Sequence, residues 1–259
     1  MARIGILGGT GWLGQALGLG LLNRGLAAPD DLVLLNRSGR APGYAAHPGV
    51  RMACDMGELQ DLCGPLVLSV RPEDFPVPGF APGPRLLISF MAMVPMARLR
   101  ALAPGARIVR AMPNGGASTG TSYSPWYAED LPEADAAQVR WLLSAIGTED
   151  RVETEDQLDI LTALSGSGPA YPALMAVALL DKAKALGLPD RVARRAVEAV
   201  VAGSAAGLAG RVDEAAAIVA ALKGYRGITA AGLEAAEAAG FANALAAAMD
   251  AAVAAARRR

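Results

Sequence analysis

A strand-like run feeding a glycine-dense turn constrains this chain more than any other feature. Ala2–Leu7 (ARIGIL) is short and apolar, suited to a central strand buried on both faces. It leads straight into Gly8-Gly9-Thr10-Gly11-Trp12-Leu13-Gly14, and a helical pattern follows to Arg24, with Gly25 as its stop. Gly9, Gly11 and Gly14 fit the spacing G-x-G-x-x-G in the strand–turn–helix setting that gives it meaning. In that reading Gly9 permits the tight turn, Gly11 lets backbone approach a pyrophosphate, and Gly14 allows close helix–strand packing. The first helical turn then offers unpaired N–H groups to phosphate oxygens. The plainer alternative is an ordinary glycine-rich turn.

The rest of the amino-terminal half repeats a strand–helix rhythm. Strands are expected at Asp31–Leu35, Leu66–Val70, Arg85–Ser89 and Ala106–Arg110, with another near Arg151–Glu153. Helices are expected around Met56–Cys63, Pro95–Leu102 and Ala134–Ile146. This alternation implies an α/β domain with a doubly wound, mainly parallel sheet of the Rossmann type. Ligands of such sheets bind beyond the carboxyl ends of the strands, which here means the loops after residues 7, 35, 70 and 110. The second strand ends in Asn36-Arg37-Ser38, without the acidic residue that commonly accepts hydrogen bonds from the ribose of NAD(H). An amide, a guanidinium and a hydroxyl instead suit a 2′-phosphate, so NADP(H) is favoured over NAD(H). His47 reads as a loop residue, because no carboxylate partner is placed near it by the sequence.

The segment Leu158–Gly187 joins a short β-like run to a helix through the small-residue turn SGSGPAY. Pro169 occupies a position a helix's first turn tolerates, and Gly166 and Gly168 allow close approach of backbone. From there the chain is rich in Ala, Leu, Glu and Arg, with breaks at Gly187-Leu188-Pro189, Gly210 and Gly224–Gly227. Gly203 and Gly207 are spaced to share a helix face, and Asn243–Ala256 reads as a final helix closed by Arg257, Arg258 and Arg259. An alanine-rich helical layer buries little per side chain, so a homodimer or higher homo-oligomer is expected. The domain boundary is expected near residue 155, giving a dinucleotide-binding domain over 1–155 and an all-α dimerisation domain over 156–259.

Charge and composition exclude several classes. The 24 basic and 25 acidic side chains give a net charge of −1, which provides no electrostatic footprint for nucleic acid. The apolar run Pro169–Leu180 ends at Asp181 and Lys182 and reads as a buried helix too short to span a bilayer. Ile4–Leu22 carries glycines in a binding pattern and lacks a basic n-region followed by a cleavage site, so a cytoplasmic protein is expected. Cys54 and Cys63 are read as two reduced thiols, and no metal site is expected.

Taken together, the glycine turn, Asn36-Arg37-Ser38, Val70-Arg71-Pro72, Arg110-x-Met112-Pro113-Asn114, LTALSGSGPAY at Leu161–Tyr171 and GITAAGL at Gly227–Leu233 resemble the pyrroline-5-carboxylate reductase family. The resemblance spans essentially the whole chain. It implies a Rossmann domain followed by a helical dimerisation domain, and hydride transfer from NAD(P)H to a cyclic imine bearing a carboxylate. It further implies that Gly9, Gly11, Trp12, Leu13 and Gly14 hold the pyrophosphate, and that Asn36, Arg37 and Ser38 hold the adenosine ribose. Ser69, Val70, Arg71 and Pro72 would flank the cofactor, and Met112, Pro113 and Asn114 would approach the nicotinamide. Gly227, Ile228 and Thr229 would bind substrate, with Thr229 hydrogen-bonding its nitrogen. Trp12 stands where the family usually has Asn, and Arg71 where Lys is common. Tyr225 and Arg226 replace a proline and a glycine of the family's substrate loop, and Gly115–Tyr127 sets aromatics and several hydroxyls near the expected rim. A reductase of a different imine is therefore a second reading. A 3-hydroxyacid dehydrogenase-like enzyme, motivated by Lys182 and Lys184, and a cofactor-sensing module without turnover are the others.

Overall fold

The computed structural model describes residues 2–258. They form two compact units. The first runs through Ser167 and takes back the residues from Val253 onward; the second holds Gly168–Ala252.

The first unit is built on strands β1 (Ile4–Leu7), β2 (Leu32–Leu35), β3 (Arg51–Met52), β4 (Leu66–Leu68), β5 (Leu86–Ser89), β6 (Arg107–Ala111), β7 (Ser122–Tyr127) and β8 (Gly147–Arg151). They make one sheet in the order β3-β2-β1-β4-β5-β6-β7-β8, parallel throughout except where β6 meets β7. Helices α1 (Trp12–Asn23), α2 (Met56–Leu62), α3 (Met96–Leu102), α4 (Glu133–Ser144) and α5 (Glu155–Leu161) connect the strands or follow them. Side chains alternate across the pleat. Ile4, Ile6, Leu32, Leu34, Val67 and Ile88 pack with Leu17 and Leu21 of α1 and Val139 and Leu142 of α4. Leu7, Val33, Leu35, Leu68 and Leu87 pack with Leu59 of α2 and Leu99 of α3. Both faces are apolar, which is why these strands read as unbroken apolar runs. The expected doubly wound, mainly parallel sheet is present.

Three parts of the unit depart from the sequence reading. Gly115–Tyr127 is not a rim loop: it forms a 3-10 turn and then the antiparallel strand β7. Ser122 and Ser124 share a buried hydrogen bond of 3.0 Å, and the fully buried Trp126 donates its indole N–H to Glu149 Oε2 at 2.5 Å. Hydroxyls that satisfy one another can be buried without an apolar alternation. Strand β8 starts four residues before the expected position, because its polar residues lie on an exposed edge that leaves no apolar signature. The β-like run at Leu158 is helical. Thr154 caps α5 by accepting from Gln157 N at 3.2 Å, and a π-helical turn at Thr162–Gly166 continues it. Thr162 and Ser165 donate back to the carbonyls of Leu158 and Leu161 at 2.7 and 2.8 Å, so both hydroxyls are absorbed along the helix.

The second unit contains α6 (Ala170–Ala185), α7 (Asp190–Glu198), α8 (Ala215–Gly224), α9 (Ile228–Ala238) and most of α10 (Phe241–Ala256). Among its described residues only Ala193 and Ala230 are buried apolar residues, while Leu174, Val177, Val200, Phe241 and Leu245 are exposed. The expectation of a buried Pro169–Leu180 is therefore not met within one chain. The helical run containing it extends over Glu155–Ala185, 31 residues, long and apolar enough to cross a membrane by length and composition. Its first turns are instead tied to the sheet, as described below. Gly203 and Gly207 do not share a regular helix face: one lies in a π-helical turn, the other in a 3-10 turn, and a Cβ at either would point into open space. At the end of α10, Arg257 pairs with Asp156 at 2.6 Å; Arg259 lies outside the described residues.

That tie is Arg110, the penultimate residue of β6, whose side chain is 2% exposed. Its Nη1 donates to Glu155 Oε1 at 2.6 Å and lies 3.3 Å from Asp159 Oδ1, so the sheet is fixed to α5. Glu155 Oε1 also accepts the backbone N–H of Met96 at 2.6 Å, bringing the start of α3 into the cluster. Removing a buried cation from carboxylates costs far more than a surface pair is worth. Arg110→Met is expected to lower unfolding stability by about 3–5 kcal/mol. The measurement is a urea titration followed by far-UV dichroism, and an unshifted midpoint would deny the cluster this role.

Candidate functional site

The loops after β1, β2 and β4 enclose a cavity of about 760 Å³ on the carboxyl side of the sheet. Leu7, Gly8, Thr10 and Gly11 form one wall, Leu35, Asn36, Arg37 and Ser38 the second, and Ser69, Val70, Arg71 and Asp74 the third; Asp55, Met56, Val77 and Pro78 complete it.

The first wall depends on three missing side chains. Gly8 turns the chain with φ +83°, and a Cβ there would lie 2.2 Å from the Ser69 carbonyl oxygen. The tight-turn role that the spacing assigns to Gly9 thus belongs to Gly8. Gly9 is bare for a different reason: a Cβ would meet Leu34 Cδ2 at 2.7 Å. At Gly14 a Cβ would reach the Gly8 carbonyl at 2.4 Å, so α1 sits directly against the turn. Gly11 occupies the N-cap position of α1 and lines the cavity, and no side chain caps the helix there. The turn is also held from behind. The buried Tyr44 hydroxyl donates to the Gly9 carbonyl at 3.0 Å, in space left by the absent side chain of Gly18. Burial pushes the phenol well above its ordinary pKa. Nothing near Tyr44 in the sequence signals this contact, which spans 35 positions.

The second wall is a compact loop. Asn36 Nδ2 donates to Thr10 Oγ1 at 2.9 Å and to the Arg40 carbonyl at 3.0 Å, and its Oδ1 accepts from Gly39 N at 2.8 Å. Ser38 Oγ lies 3.1 Å from Asn36 Oδ1. Asn36 therefore couples β2 to the glycine turn, and Arg37 extends from this loop with 84% of its side chain exposed. On the third wall, Arg71 Nε donates to Asp74 Oδ2 at 2.9 Å, and this contact raises the guanidinium's pKa.

Other expected site residues lie outside this lining. Leu13 is half-buried against the core, and Pro72 opens a 3-10 turn. Trp12, 67% exposed, borders a separate hollow of about 360 Å³ with Arg24 and the turn Ala117–Gly120. Met112 and Pro113 are buried. Asn114 accepts from Gly116 N at 2.9 Å and donates to the Ser165 carbonyl at 3.1 Å, tying the end of β6 to the π-helical turn. His47 is half-buried in a turn rather than exposed, and Lys184 is taken up by an ion pair with Asp190.

In the second unit, Gly227 is the N-cap of α9, and Ile228 and Thr229 form its exposed first turn. No side chain caps this end. Arg226 before it adopts φ +48°, the left-handed conformation that glycine adopts without strain.

A sequence model of the family described as pyrroline-5-carboxylate reductase dimerisation matches residues 155–259. The pyrroline-5-carboxylate reductase of Synechocystis is 32% identical over 209 residues, covering 78% of each chain. That of Thermus thermophilus is 34% identical over 211 residues, again 78% of each. Among solved structures, the 1-pyrroline-5-carboxylate reductase of Streptococcus pyogenes is 25% identical, with a TM-score of 0.84 over 99% of this chain and 98% of that one. The Plasmodium falciparum pyrroline carboxylate reductase, solved with NADP bound, shares the fold at 24% identity and a TM-score of 0.81, over 99% and 97% of the chains. A glycine turn that only bare backbone can form, a cavity at the strand ends, and relatives of this similarity over most of their length place the chain in the pyrroline-5-carboxylate reductase family.

Proposed function

We propose that the chain reduces 1-pyrroline-5-carboxylate to proline with NADPH. The observation that carries this reading is the cavity at the ends of β1, β2 and β4, with a backbone cradle on one side and two guanidinium groups on the other. The cradle fits a dinucleotide: Gly8 and Gly14 exclude side chains from the turn, and the uncapped start of α1 presents N–H groups suited to a pyrophosphate. Arg37 and Arg71 suit a 2′-phosphate, with Asn36 and Ser38 shaping the loop that carries Arg37. Ser69, Val70 and Pro72 would flank the cofactor, and Met112–Asn114 would support the nicotinamide end.

Bound NADPH supplies hydride to the imine carbon; the chain supplies position and a hydrogen bond. The uncapped first turn of α9, at Gly227, Ile228 and Thr229, is suited to the substrate carboxylate. The Thr229 hydroxyl orients the imine nitrogen, which must end the reaction protonated. No His–Asp pair is needed, because holding the reacting atoms in contact contributes most of the rate. Functionally we divide the chain into a cofactor domain over 1–155 and a dimerisation domain over 156–259. The exposed Leu174, Val177 and Phe241 are the apolar surface that a homo-oligomer would cover.

A related imine is the second reading. Tyr225 and Arg226 favour it, since both are exposed beside Gly227, whereas the buried Trp126 cannot contribute.

Oxidation of NADPH, followed by its absorbance, is expected with pyrroline-5-carboxylate and to be slower with pyrroline-2-carboxylate. The reverse order would establish the second reading, and no turnover with any cyclic imine would leave a binding module. Thr229→Ala is expected to lower kcat about ten- to a hundredfold with NADPH affinity unchanged. Full turnover in that variant would take Thr229 out of the reaction. Replacing both Leu174 and Val177 by Asp is expected to yield a smaller sedimenting species than the native chain.

A further inference from the structure

The mouth of the cavity holds a charge arrangement that cofactor binding alone does not call for. Asp74 ends the 3-10 turn Pro72–Asp74, which follows β4. Its Oδ1 lies 3.7 Å from Arg37 Nη1, and its Oδ2 accepts from Arg71 Nε at 2.9 Å. Arg71 Nη1 also lies 3.4 Å from Glu73 Oε1. Two guanidinium groups thus face two carboxylates, and the cluster is neutral where the sequence of β2 alone suggests a cationic pocket. Arg37, Arg71 and Asp74 all line the cavity.

These pairs are loose. The Arg37 and Arg71 side chains are largely exposed, so each contact is worth little and either guanidinium can turn to another anion. The short Asp74 side chain stays at this wall, because its backbone is held in the turn by a hydrogen bond from its N–H to the Arg71 carbonyl at 3.0 Å. An arriving phosphate dianion gains Arg37 but meets the Asp74 carboxylate on the facing wall, 3.7 Å from that guanidinium. A ribose hydroxyl meets no such repulsion, and the carboxylate can accept a hydrogen bond from it. Dinucleotide sites of this fold often place that acid at the end of the second strand. Here the acid comes from the turn after β4, a different part of the chain.

We propose that Asp74 is a specificity-determining residue that narrows the preference for 2′-phosphorylated over unphosphorylated nicotinamide dinucleotide. The proposal rests on the reading of the cavity as the cofactor site. Dissociation constants of NADPH, NADH and adenosine 2′-monophosphate, measured by calorimetry on the full chain and on Asp74→Asn, test it. The variant keeps the side chain's shape and removes its charge. NADPH and adenosine 2′-monophosphate are expected to bind about three- to tenfold tighter, an effect that fades in high salt. NADH is expected to bind unchanged or more weakly. Equal shifts for NADPH and NADH would indicate a structural role and overturn the proposal, as would unchanged or weaker NADPH binding. If the native chain binds neither dinucleotide, the cofactor reading falls as well; if it binds both, a failed variant counts against Asp74 alone.

Discussion

The buried guanidinium of Arg110 sets the conditions under which the rest of this chain is assembled. Strand β6 is flanked on both sides, so the buried charge of Arg110 must be met by anions inside the protein. Glu155 and Asp159 meet it from α5, and this requires α5 to be helical, since the two acids are one turn apart. The same contact decides where the long helical run of the carboxyl-terminal half begins. Asn114, four residues beyond Arg110, adds a hydrogen bond to the Ser165 carbonyl, so the end of β6 and the start of that run are joined twice. Net attraction is a smaller part of the effect than geometry: a cluster that is costly to break fixes one arrangement of sheet and helix.

The cavity follows from a second constraint, the absence of side chains at the turn after β1. Gly8, Gly9 and Gly14 are each crowded by a different neighbour: the Ser69 carbonyl, Leu34 and Gly8 itself. Three strand ends are brought together because nothing larger than hydrogen stands between them. Tyr44 then supports the turn from beneath, its hydroxyl 3.0 Å from the Gly9 carbonyl and 3.5 Å from that of Gly14. The chemistry expected at the site asks for placement rather than for a reactive side chain, and a turn of fixed shape supplies placement.

How much of this could be read from the sequence depended on the range of each interaction. Strands β1, β2, β4 and β5 are mostly apolar runs and legible as such, β6 is legible from its apolar Ile108 and Val109, and helices α1 to α4 are legible to within a residue or two. Strand β7 was not, because Pro125 and paired serines imitate a loop, and its burial depends on bonds between those serines and to Glu149. Strand β8 offers only polar residues, and β3 has two residues. The start of the run at Leu158 fits a strand as well as a helix because a few apolar residues with an intervening acid suit both periods; that acid pairs with Arg110, 49 positions away. Asn36, Arg37 and Ser38 line the cavity at the strand end where the sequence points, yet the acid facing Arg37 is invisible in that stretch because it arrives from another loop. The glycine spacing identified the turn but assigned the wrong glycine to its positive φ, since overlapping glycines satisfy more than one register.

The two margins of the sheet also have a consequence for how copies of this chain meet. One margin is β3, only two residues long; the other is β8, where Glu149, Asp150 and Arg151 follow one another. A short margin offers too few free amides to template a neighbour, and a charged one repels it. Ribbon-to-ribbon stacking is thus discouraged at both ends, and self-association is left to the alanine-rich helices, whose outward leucines and valines have no such guard.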